Sequence, residues 1–175
     1  MTRIETVDRN FAVHAPNGET IAWMDVEQPP FSVFGLMREN GIYVRMPQAT
    51  ADTVNDGVAL LNTHTAGGRV CFATDSPSIH IKAELHNVGR MPHFTLCGSA
   101  GFDLYEDDGE RHTYKGTFIP PYNDEDSFES TVTVGQGEAR AYTVNFPPYS
   151  GVKRLQIGLE AGSHVSACEP YRPIA

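Results

Sequence analysis

The sequence predicts an all-β fold, an antiparallel β-sandwich of the jelly-roll type. Three observations favour this fold class. Several short segments alternate apolar and polar residues with a period of two, which is typical of strands with one buried and one solvent-facing side. Sixteen glycines and twelve prolines separate these segments. No stretch of eleven or more residues keeps the 3.6-residue period of a helix, so many short strands joined by turns are expected.

The clearest strand covers residues 79–86, where apolar residues alternate with histidines and charged residues. Similar alternation predicts three further strands, at residues 131–134, 142–146 and 155–159. The side chains predicted to face the core are Ile79, Ile81, Leu85, Leu104, Val132, Val144, Leu155 and Ile157. The prediction is thus a core built from the apolar positions of these alternating segments.

Two local signals predict the connections. Asp108 and Gly109 follow the apolar Phe102, Leu104 and Tyr105, and an Asp-Gly pair predicts a hairpin with a type I′ turn, in which both central residues have positive φ. Residues 53–61 can form one short turn of helix. The chain is therefore expected to be mostly strand.

Composition limits the function classes. The chain has 175 residues, 40% apolar residues and a net charge of -9, which fits one globular domain with a buried core. Nucleic acid and anionic membrane surfaces both require clustered Lys and Arg, and no such run occurs, so neither is an expected partner. Glu5 and Asp8 interrupt the segment where a signal peptide would be apolar, and no apolar run is long enough to span a membrane. A cytoplasmic location is expected.

The cysteines indicate free thiols. The chain has three of them, Cys71, Cys97 and Cys168, without a C-x-x-C spacing. An odd number of cysteines without a C-x-x-C spacing indicates neither a disulfide framework nor a zinc site. We expect all three to be reduced.

Metal binding is not indicated by the histidines. His80 and His86 lie on one predicted strand, about 20 Å apart at about 3.3 Å per residue, which is too far to share an ion. His93 and Cys97 would be about 13 Å apart in an extended segment, so the same objection applies. No metal site and no cofactor are predicted.

A catalytic nucleophile is not indicated either. The sequence has no G-x-S-x-G element, and its serines lack an evident acid and base arrangement. Asp75 and Ser76 partly match the G-D-S block of lipolytic esterases, but Pro77 follows them, and this combination is typical of a turn. No catalytic residue is predicted in the chain.

Residues 101–105 read GFDLY, and this motif resembles the one that names the GxDLY domain, an N-terminal module of two-domain SGNH-type (GDSL-like) esterases. Further blocks occur in the order of that family, at residues 43–47, 66–76, 91–93 and 146–158. The resemblance thus covers roughly residues 43 to 160. Ordered blocks over most of a chain are more specific than a five-residue motif.

The resemblance implies a division into parts. Residues 1–168 correspond to the N-terminal β-sandwich, which in similar esterases looks like a carbohydrate-binding module, and residues 169–175 resemble the start of the connector to an SGNH hydrolase domain that is missing here. The expected partner is that downstream domain, together with a carbohydrate or acyl-ester substrate. Esterase activity then belongs to a parent polypeptide, and the chain itself is a non-catalytic accessory domain that shapes the substrate cleft.

Candidate site residues fall into two groups. The segments 91–93 and 147–151 are expected at the domain interface, and three aromatic side chains, Trp23, Tyr122 and Tyr149, are candidates for a platform facing a sugar. The substrate and interface residues are thus Met91, Pro92, His93, Tyr122 and Tyr149. The family-motif residues, Arg45, Gly101, Asp103, Leu104 and Tyr105, are expected to be structural, with the half-buried Asp paired with an Arg.

Three functions remain open from the sequence. The first is the accessory domain of an SGNH-type esterase, which the ordered blocks favour. The second is a free-standing carbohydrate-binding module, and the third is a structural domain that mediates oligomerisation. The substrate could be an acyl ester or an acetylated sugar.

Overall fold

The computed structural model describes residues 21–121 and 126–168. In chain order the elements are β1 (Ile21–Asp25), β2 (Ser32–Phe34), β3 (Met37–Glu39), β4 (Ile42–Val44), α1 (Gln48–Asp52), α2 (Asp56–Leu61), β5 (Arg69–Thr74), β6 (Ser78–His86), α3 (Leu96–Ala100), β7 (Phe102–Asp107), β8 (His112–Phe118), β9 (Ser127–Thr133), β10 (Arg140–Asn145), β11 (Gly151–Glu160) and β12 (Val165–Ser166). Strands therefore dominate the described residues.

Two antiparallel sheets form the body of the protein. The four-stranded sheet has the order β1-β11-β6-β9, and the six-stranded sheet has the order β12-β5-β10-β7-β8, with β2 also paired to β5. The short strands β3 and β4 pair with each other. The prediction of an all-β antiparallel sandwich is confirmed.

The core lies between the two larger sheets. All eight side chains predicted to face inward are buried there, and Ile79, Ile81, Leu104, Val144, Leu155 and Ile157 are each 0% exposed. They belong to one continuous apolar cluster with Phe72, Phe102 and Phe118. Because successive strand residues point to opposite faces, these positions leave their polar neighbours on the outer faces.

Strand β11 sits in the middle of the four-stranded sheet and is its longest member. It pairs with β6 from Gly151 opposite His86 to Leu159 opposite Ile79, and the register shifts between Val152 and Arg154. The carbonyl of Lys153, in the irregular part, accepts a hydrogen bond of 2.5 Å from the Arg38 guanidinium. The bulge thereby attaches the β3–β4 hairpin to the sheet.

Strand β11 runs between the two ends of the sandwich, the Gly151 end and the Glu160 end. At the Gly151 end, the Ser150 carbonyl accepts from the Thr65 N–H (3.0 Å) and the Gly68 carbonyl accepts from the Phe146 N–H (2.9 Å), so the starts of β5 and β11 and the end of β10 meet. At the Glu160 end, β11 finishes beside β1, where Glu160 pairs with Ile21. The ends are separated by the length of β11, about 30 Å at about 3.3 Å per residue.

The helices are short. Helix α2 lies within the predicted segment 53–61, and the Asn55 side chain caps it by accepting from the Val58 N–H at 2.9 Å. Helices α1 and α3 were not predicted, because five residues are too few for a helical period to be read. None of the helices in the described part of the chain has the length and apolar character that a bilayer crossing requires.

The Asp-Gly signal predicted the correct hairpin but the wrong turn. Strands β7 and β8 pair as expected, and Gly109 has φ +87°. Asp108 is not among the described residues with positive φ, as a type I′ turn would require. Its carboxylate instead accepts from the N–H groups of Glu110 (3.0 Å) and Arg111 (2.7 Å), which stabilises a longer loop.

The position of Ile81 gives a direct test of the core. Ile81 is fully buried in β6, with β11 on one side and β9 on the other. Ile81→Ala should lower the free energy of unfolding by about 2–5 kcal/mol, because it removes buried methyl groups and leaves a cavity. Urea unfolding followed by circular dichroism measures this. The control Val54→Ala, at an exposed position, should change stability by less than about 0.5 kcal/mol; equal effects would contradict the described core.

Candidate functional site

The segments predicted to lie at a domain interface meet at the Gly151 end. The rings of Phe94 and Tyr149 pack edge to face, with their centroids 5.6 Å apart. The Tyr149 N–H donates to the Ser99 carbonyl at 3.2 Å. The loop that carries Met91, Pro92 and His93 therefore lies beside the 147–151 segment, with α3 next to both.

Ser150 ties these segments together. Its hydroxyl is buried, donates to the Ser99 carbonyl (3.1 Å) and accepts from the Gly89 N–H (3.2 Å). The Thr65 hydroxyl, also buried, lies 3.0 Å from the Pro147 carbonyl and 2.9 Å from that of Ser150. Because these hydrogen bonds are buried and join four segments, the loop cluster is a fixed surface rather than a set of independent loops.

A shallow notch of about 340 Å³ opens in this cluster. Its lining residues are Arg90, Met91, Pro92, Phe94, Leu96 and Ser99. Phe94 and Tyr149 are each 43% exposed beside it, and His93 is exposed as well. The lining of the notch is about equally polar and apolar, because Arg90 and Ser99 lie beside the apolar side chains, so it suits a group with both an apolar and a polar part.

Sequence reasoning missed Phe94 and Ser150 as individual site residues. Phe94 directly follows the predicted segment 91–93, and Ser150 lies inside the predicted segment 147–151. An exposed aromatic residue in a connecting loop was the available signal for Phe94. The contacts of Ser150 join residues 51 and 61 positions apart in the chain, and no local pattern indicates them.

The aromatic platform proposed from the sequence is not one surface. Tyr149 is at the Gly151 end, whereas Trp23 pairs with Gly158, nine residues further along the chain. At about 3.3 Å per residue the two aromatic residues are roughly 25 Å apart or more. Tyr122 lies outside the described residues. The structure therefore places Trp23 and Tyr149 on different surfaces of the sandwich.

The motif residues join α3 to β7. Gly101 ends α3, and a Cβ there would be 2.3 Å from the Cys97 carbonyl oxygen, so a side chain does not fit. Leu104 points into the core, and the Tyr105 ring packs edge to face on Tyr114 with centroids 5.6 Å apart. Gly101, Leu104 and Tyr105 thus contact α3, the core and β8, respectively.

The expected pairing of Asp103 with an arginine needs correction. Its carboxylate accepts a hydrogen bond of 2.7 Å from the hydroxyl of Thr117, on the neighbouring strand β8. The Arg45 guanidinium donates elsewhere, to the Leu61 carbonyl at 2.6 Å, and so holds the end of α2. Asp103 and Thr117 are directly opposite each other in the ladder, and this cross-strand position brings the hydroxyl within reach.

Ser76 has no exposed hydroxyl. The residue is buried, its hydroxyl donates to the Ser78 carbonyl (2.7 Å), and it accepts from the Glu160 N–H (3.1 Å). Both hydrogen bonds hold the turn between β5 and β6. A serine that is hidden and used in this way cannot attack an ester, which agrees with a turn at residues 74–77.

A serine–histidine contact does occur nearby, at Ser78. Its hydroxyl donates to a Glu160 carboxylate oxygen at 2.8 Å and lies 2.9 Å from His80 Nε2. Because the one hydroxyl proton of Ser78 goes to Glu160, His80 Nε2 is the donor in the second contact. His80 Nδ1, 2.7 Å from the Thr131 hydroxyl, is then the acceptor. His80 therefore cannot take the Ser78 proton.

The protonation of His80 fits this arrangement. Burial lowers the pKa of His80, while the nearby Glu160 and Glu129 act in the opposite direction. The imidazole is consequently neutral near pH 7, with both ring nitrogens hydrogen-bonded. Among the residues that the structure describes, no group of three or more His, Cys, Asp or Glu could hold a metal ion.

None of the three cysteines forms a disulfide bond in the structure. Cys71 is buried, with its sulfur 3.3 Å from the Thr143 hydroxyl. Burial raises the pKa of Cys97, and burial together with a hydrogen bond to Cys71 raises the pKa of Cys168 to about 12. At pH 8 the reactive thiolate form is therefore scarce at Cys97 and Cys168.

Thiol titration tests the state of the cysteines. In the folded chain at pH 8, Ellman's reagent should react slowly, because the raised pKa values leave little thiolate at Cys97 and Cys168 and burial protects Cys71. After denaturation without a reductant, all three thiols should react. If only one thiol reacted, the expectation would be wrong, and two cysteines would form a disulfide. Cys71 and Cys168 are the neighbouring pair.

Comparison with known proteins agrees with the fold and the motif. The family model of the GxDLY domain, the N-terminus of SGNH hydrolase-type esterases, matches residues 21–165. No curated protein matches the chain. Two solved structures share the fold, and the chain spans less than half the length of each.

The first solved structure is a protein described as a GDSL-like lipase, from Bacteroides ovatus, with 24% identity over 86% of this chain and 44% of that one, at a TM-score of 0.75. The second is the salicylyl-acyltransferase SsfX3 from a tetracycline biosynthetic pathway, with 18% identity over 87% of this chain and 43% of that one, at a TM-score of 0.64. The match of the family model over most of the chain establishes that this protein belongs to the GxDLY family, the N-terminal part of SGNH hydrolase-type esterases.

Proposed function

We propose that the chain is the non-catalytic accessory module of an SGNH-type esterase, and that it packs through its Gly151 end against a downstream catalytic domain. In this proposal residues 1–168 form the module and residues 169–175 begin the connector. The loop cluster with Met91, Phe94 and Tyr149 then forms one wall of the substrate cleft, for an acyl ester or an acetylated sugar.

The uneven distribution of exposed apolar side chains carries this proposal. Nine large apolar side chains are exposed within the described residues. Five of them belong to segments at the Gly151 end, namely Leu60, Leu61, Phe94, Ile119 and Tyr149. Leu60 and Leu61 precede Thr63, whose carbonyl lies against Gly151, and Ile119 follows Phe118, which pairs with Phe102 at the start of β7. Apolar residues gathered at one end of a module indicate a surface that another protein surface covers.

The direction of the chain at β12 also supports docking at the Gly151 end. Strand β12 runs antiparallel to β5, with Val165 opposite Thr74 and Ser166 opposite Ala73. Since β5 starts at the Gly151 end, the chain at β12 travels towards that end. Cys168, two residues after β12, reaches the Cys71 thiol. A domain connected after this point would emerge on the side where the exposed apolar residues are.

The rigidity of the loop cluster fits a role in shaping a cleft. The buried hydrogen bonds of Ser150 and Thr65 hold the loops in one arrangement without a partner. A surface that is already ordered loses little conformational entropy on docking. The notch of about 340 Å³ is then a preformed recess that an apolar part of the substrate could enter.

The chemistry of the described serines supports a non-catalytic module. An ester hydrolase needs a nucleophile, a base that can accept its proton, and donors aimed at the developing oxyanion. Ser76 is buried in a turn, and Ser78 gives its proton to Glu160 rather than to His80. The catalytic serine of the proposed parent enzyme therefore belongs to the downstream domain.

The first test concerns catalysis. The 175-residue chain should hydrolyse p-nitrophenyl acetate no faster than a control protein of similar His and Lys content. The polypeptide extended through its downstream domain should be active and should lose activity when the serine of that domain is changed. A real activity of the present chain that disappears with Ser76→Ala or Ser78→Ala would contradict the proposal.

The second test concerns docking. In the extended polypeptide, the double variant Phe94→Asp and Tyr149→Asp should separate the domains, because two carboxylates cannot be buried there without partners. Small-angle X-ray scattering should show a larger radius of gyration, and KM should rise if the cluster lines the cleft.

A matched control keeps the docking test specific. Thr133→Asp introduces a carboxylate at an exposed position of β9, opposite Ser78 and far from the Gly151 end. This variant should leave the radius of gyration and KM unchanged. Equal behaviour of the control and the double variant would argue against docking at the Gly151 end, while the test of catalysis would still stand.

A further inference from the structure

The outer face of the four-stranded sheet carries an ordered arrangement that domain docking at the Gly151 end does not use. One row across the strands places Trp23, Gly158, His80 and Thr131 opposite one another. The next row consists of Asp25, Gln156, Lys82 and Glu129. This face therefore presents one aromatic side chain among polar ones.

The indole of Trp23 lies over the neighbouring strand because the residue there is glycine. A Cβ at Gly158 would be 2.8 Å from the Cζ3 atom of the indole, so any side chain would lift the ring off the sheet. The indole remains partly exposed, with the His80 ring edge-on at a centroid distance of 6.3 Å. Gly158 therefore leaves open the space that the Trp23 indole occupies over the neighbouring strand.

Lys82 connects this indole with a groove of about 380 Å³. Its ammonium is 4.2 Å from the indole centroid and 3.1 Å from a Glu129 carboxylate oxygen. The polar residues in the lining of the groove are Lys82, Glu84, Ser127, Glu129, Arg154 and Gln156. Two cationic and two anionic side chains balance each other there, and a hydroxyl and an amide add neutral hydrogen-bonding groups.

We propose that this groove, together with the Trp23 indole, is a binding site for a neutral saccharide. Sugar rings have apolar C–H faces, which pack on an aromatic ring, and hydroxyl edges, which pair with carboxylates, amides and guanidinium groups. Lys82 moves aside from the indole and keeps its ion pair with Glu129 when the sugar ring occupies its place.

The chemistry of the groove excludes other ligand classes. A strongly charged ligand would gain from one pair of lining charges and be repelled by the other. An extended peptide pairs with the free backbone groups at the edge of a sheet, whereas this groove lies on the outer face formed by side chains of β6, β9 and β11. The groove is built from side chains on the outer face of the sheet, and none of its lining residues belongs to the loop cluster at the Gly151 end, so the saccharide site does not depend on the proposed docking.

Tryptophan fluorescence tests the site directly, because Trp23 is the one tryptophan of the chain. The 175-residue chain is titrated with cellohexaose, xylohexaose and chitohexaose. At least one hexasaccharide should change the emission saturably, with a dissociation constant of about 1 mM or tighter. No saturable change with any of the three at about 10 mM would overturn the proposal.

Variants locate the binding by calorimetry. Trp23→Ala should weaken it by about tenfold or more, and Gln156→Ala and Glu129→Gln by about two- to tenfold each. Gln156 and Glu129 lie on the surface, so their variants carry the test if Trp23→Ala does not fold by circular dichroism. Tyr149→Ala, in the loop cluster and not among the lining residues of the groove, should bind within about twofold of the unchanged protein. Unchanged binding in both groove variants, or loss of binding in Tyr149→Ala, would refute the site.

Discussion

The antiparallel pairing of β11 with β6 is the constraint on which the other features of this module depend. The pairing places Leu155 and Ile157 opposite Ala83 and Ile81, and all four side chains are buried against the second sheet. The period of two then forces the residues between them to the outer face. A shift of this register by one residue would exchange the two sets and expose the core, so burial specifies the register strongly. The same pairing positions the two ends of the sandwich and everything that the ends carry.

The two ends differ in how their polar groups are used. At the Gly151 end, the buried hydroxyls of Ser150 and Thr65 bind backbone groups of other loops and leave aromatic and aliphatic side chains outside. At the Glu160 end, Ser76, Ser78 and Glu160 hydrogen-bond with one another and close the turn from β5 to β6. Buried networks that are fully paired make a surface rigid. The exposed side chains at the Gly151 end are largely apolar, whereas the Glu160 end is closed by polar side chains, so the two ends differ in polarity.

The strands that could be predicted from the sequence are those with one buried and one solvent-facing side. Residues 79–86 alternate cleanly because His80, Lys82 and Glu84 lie on the outer face of β6. Strand β5 does not alternate, since Cys71 is buried on the outer side and Phe72 in the core, so only the family resemblance indicated it. Helices α1 and α3 are too short to show a period. The contact of Phe94 with Tyr149 spans 55 positions, and no local pattern could have indicated it.

The pair Ser78 and His80 shows why a site must be judged by the direction of its hydrogen bonds. Sequence and distance alone would allow a nucleophile and its base, since Ser78 Oγ is 2.9 Å from His80 Nε2. In a catalytic arrangement the acid binds the far nitrogen of the histidine and leaves the near nitrogen free to accept the serine proton. Here the acid, Glu160, binds the serine itself, and the far nitrogen of His80 meets the Thr131 hydroxyl. The proton of Ser78 is therefore held by the wrong partner for catalysis, and the same three residue types stabilise an end of the sandwich instead.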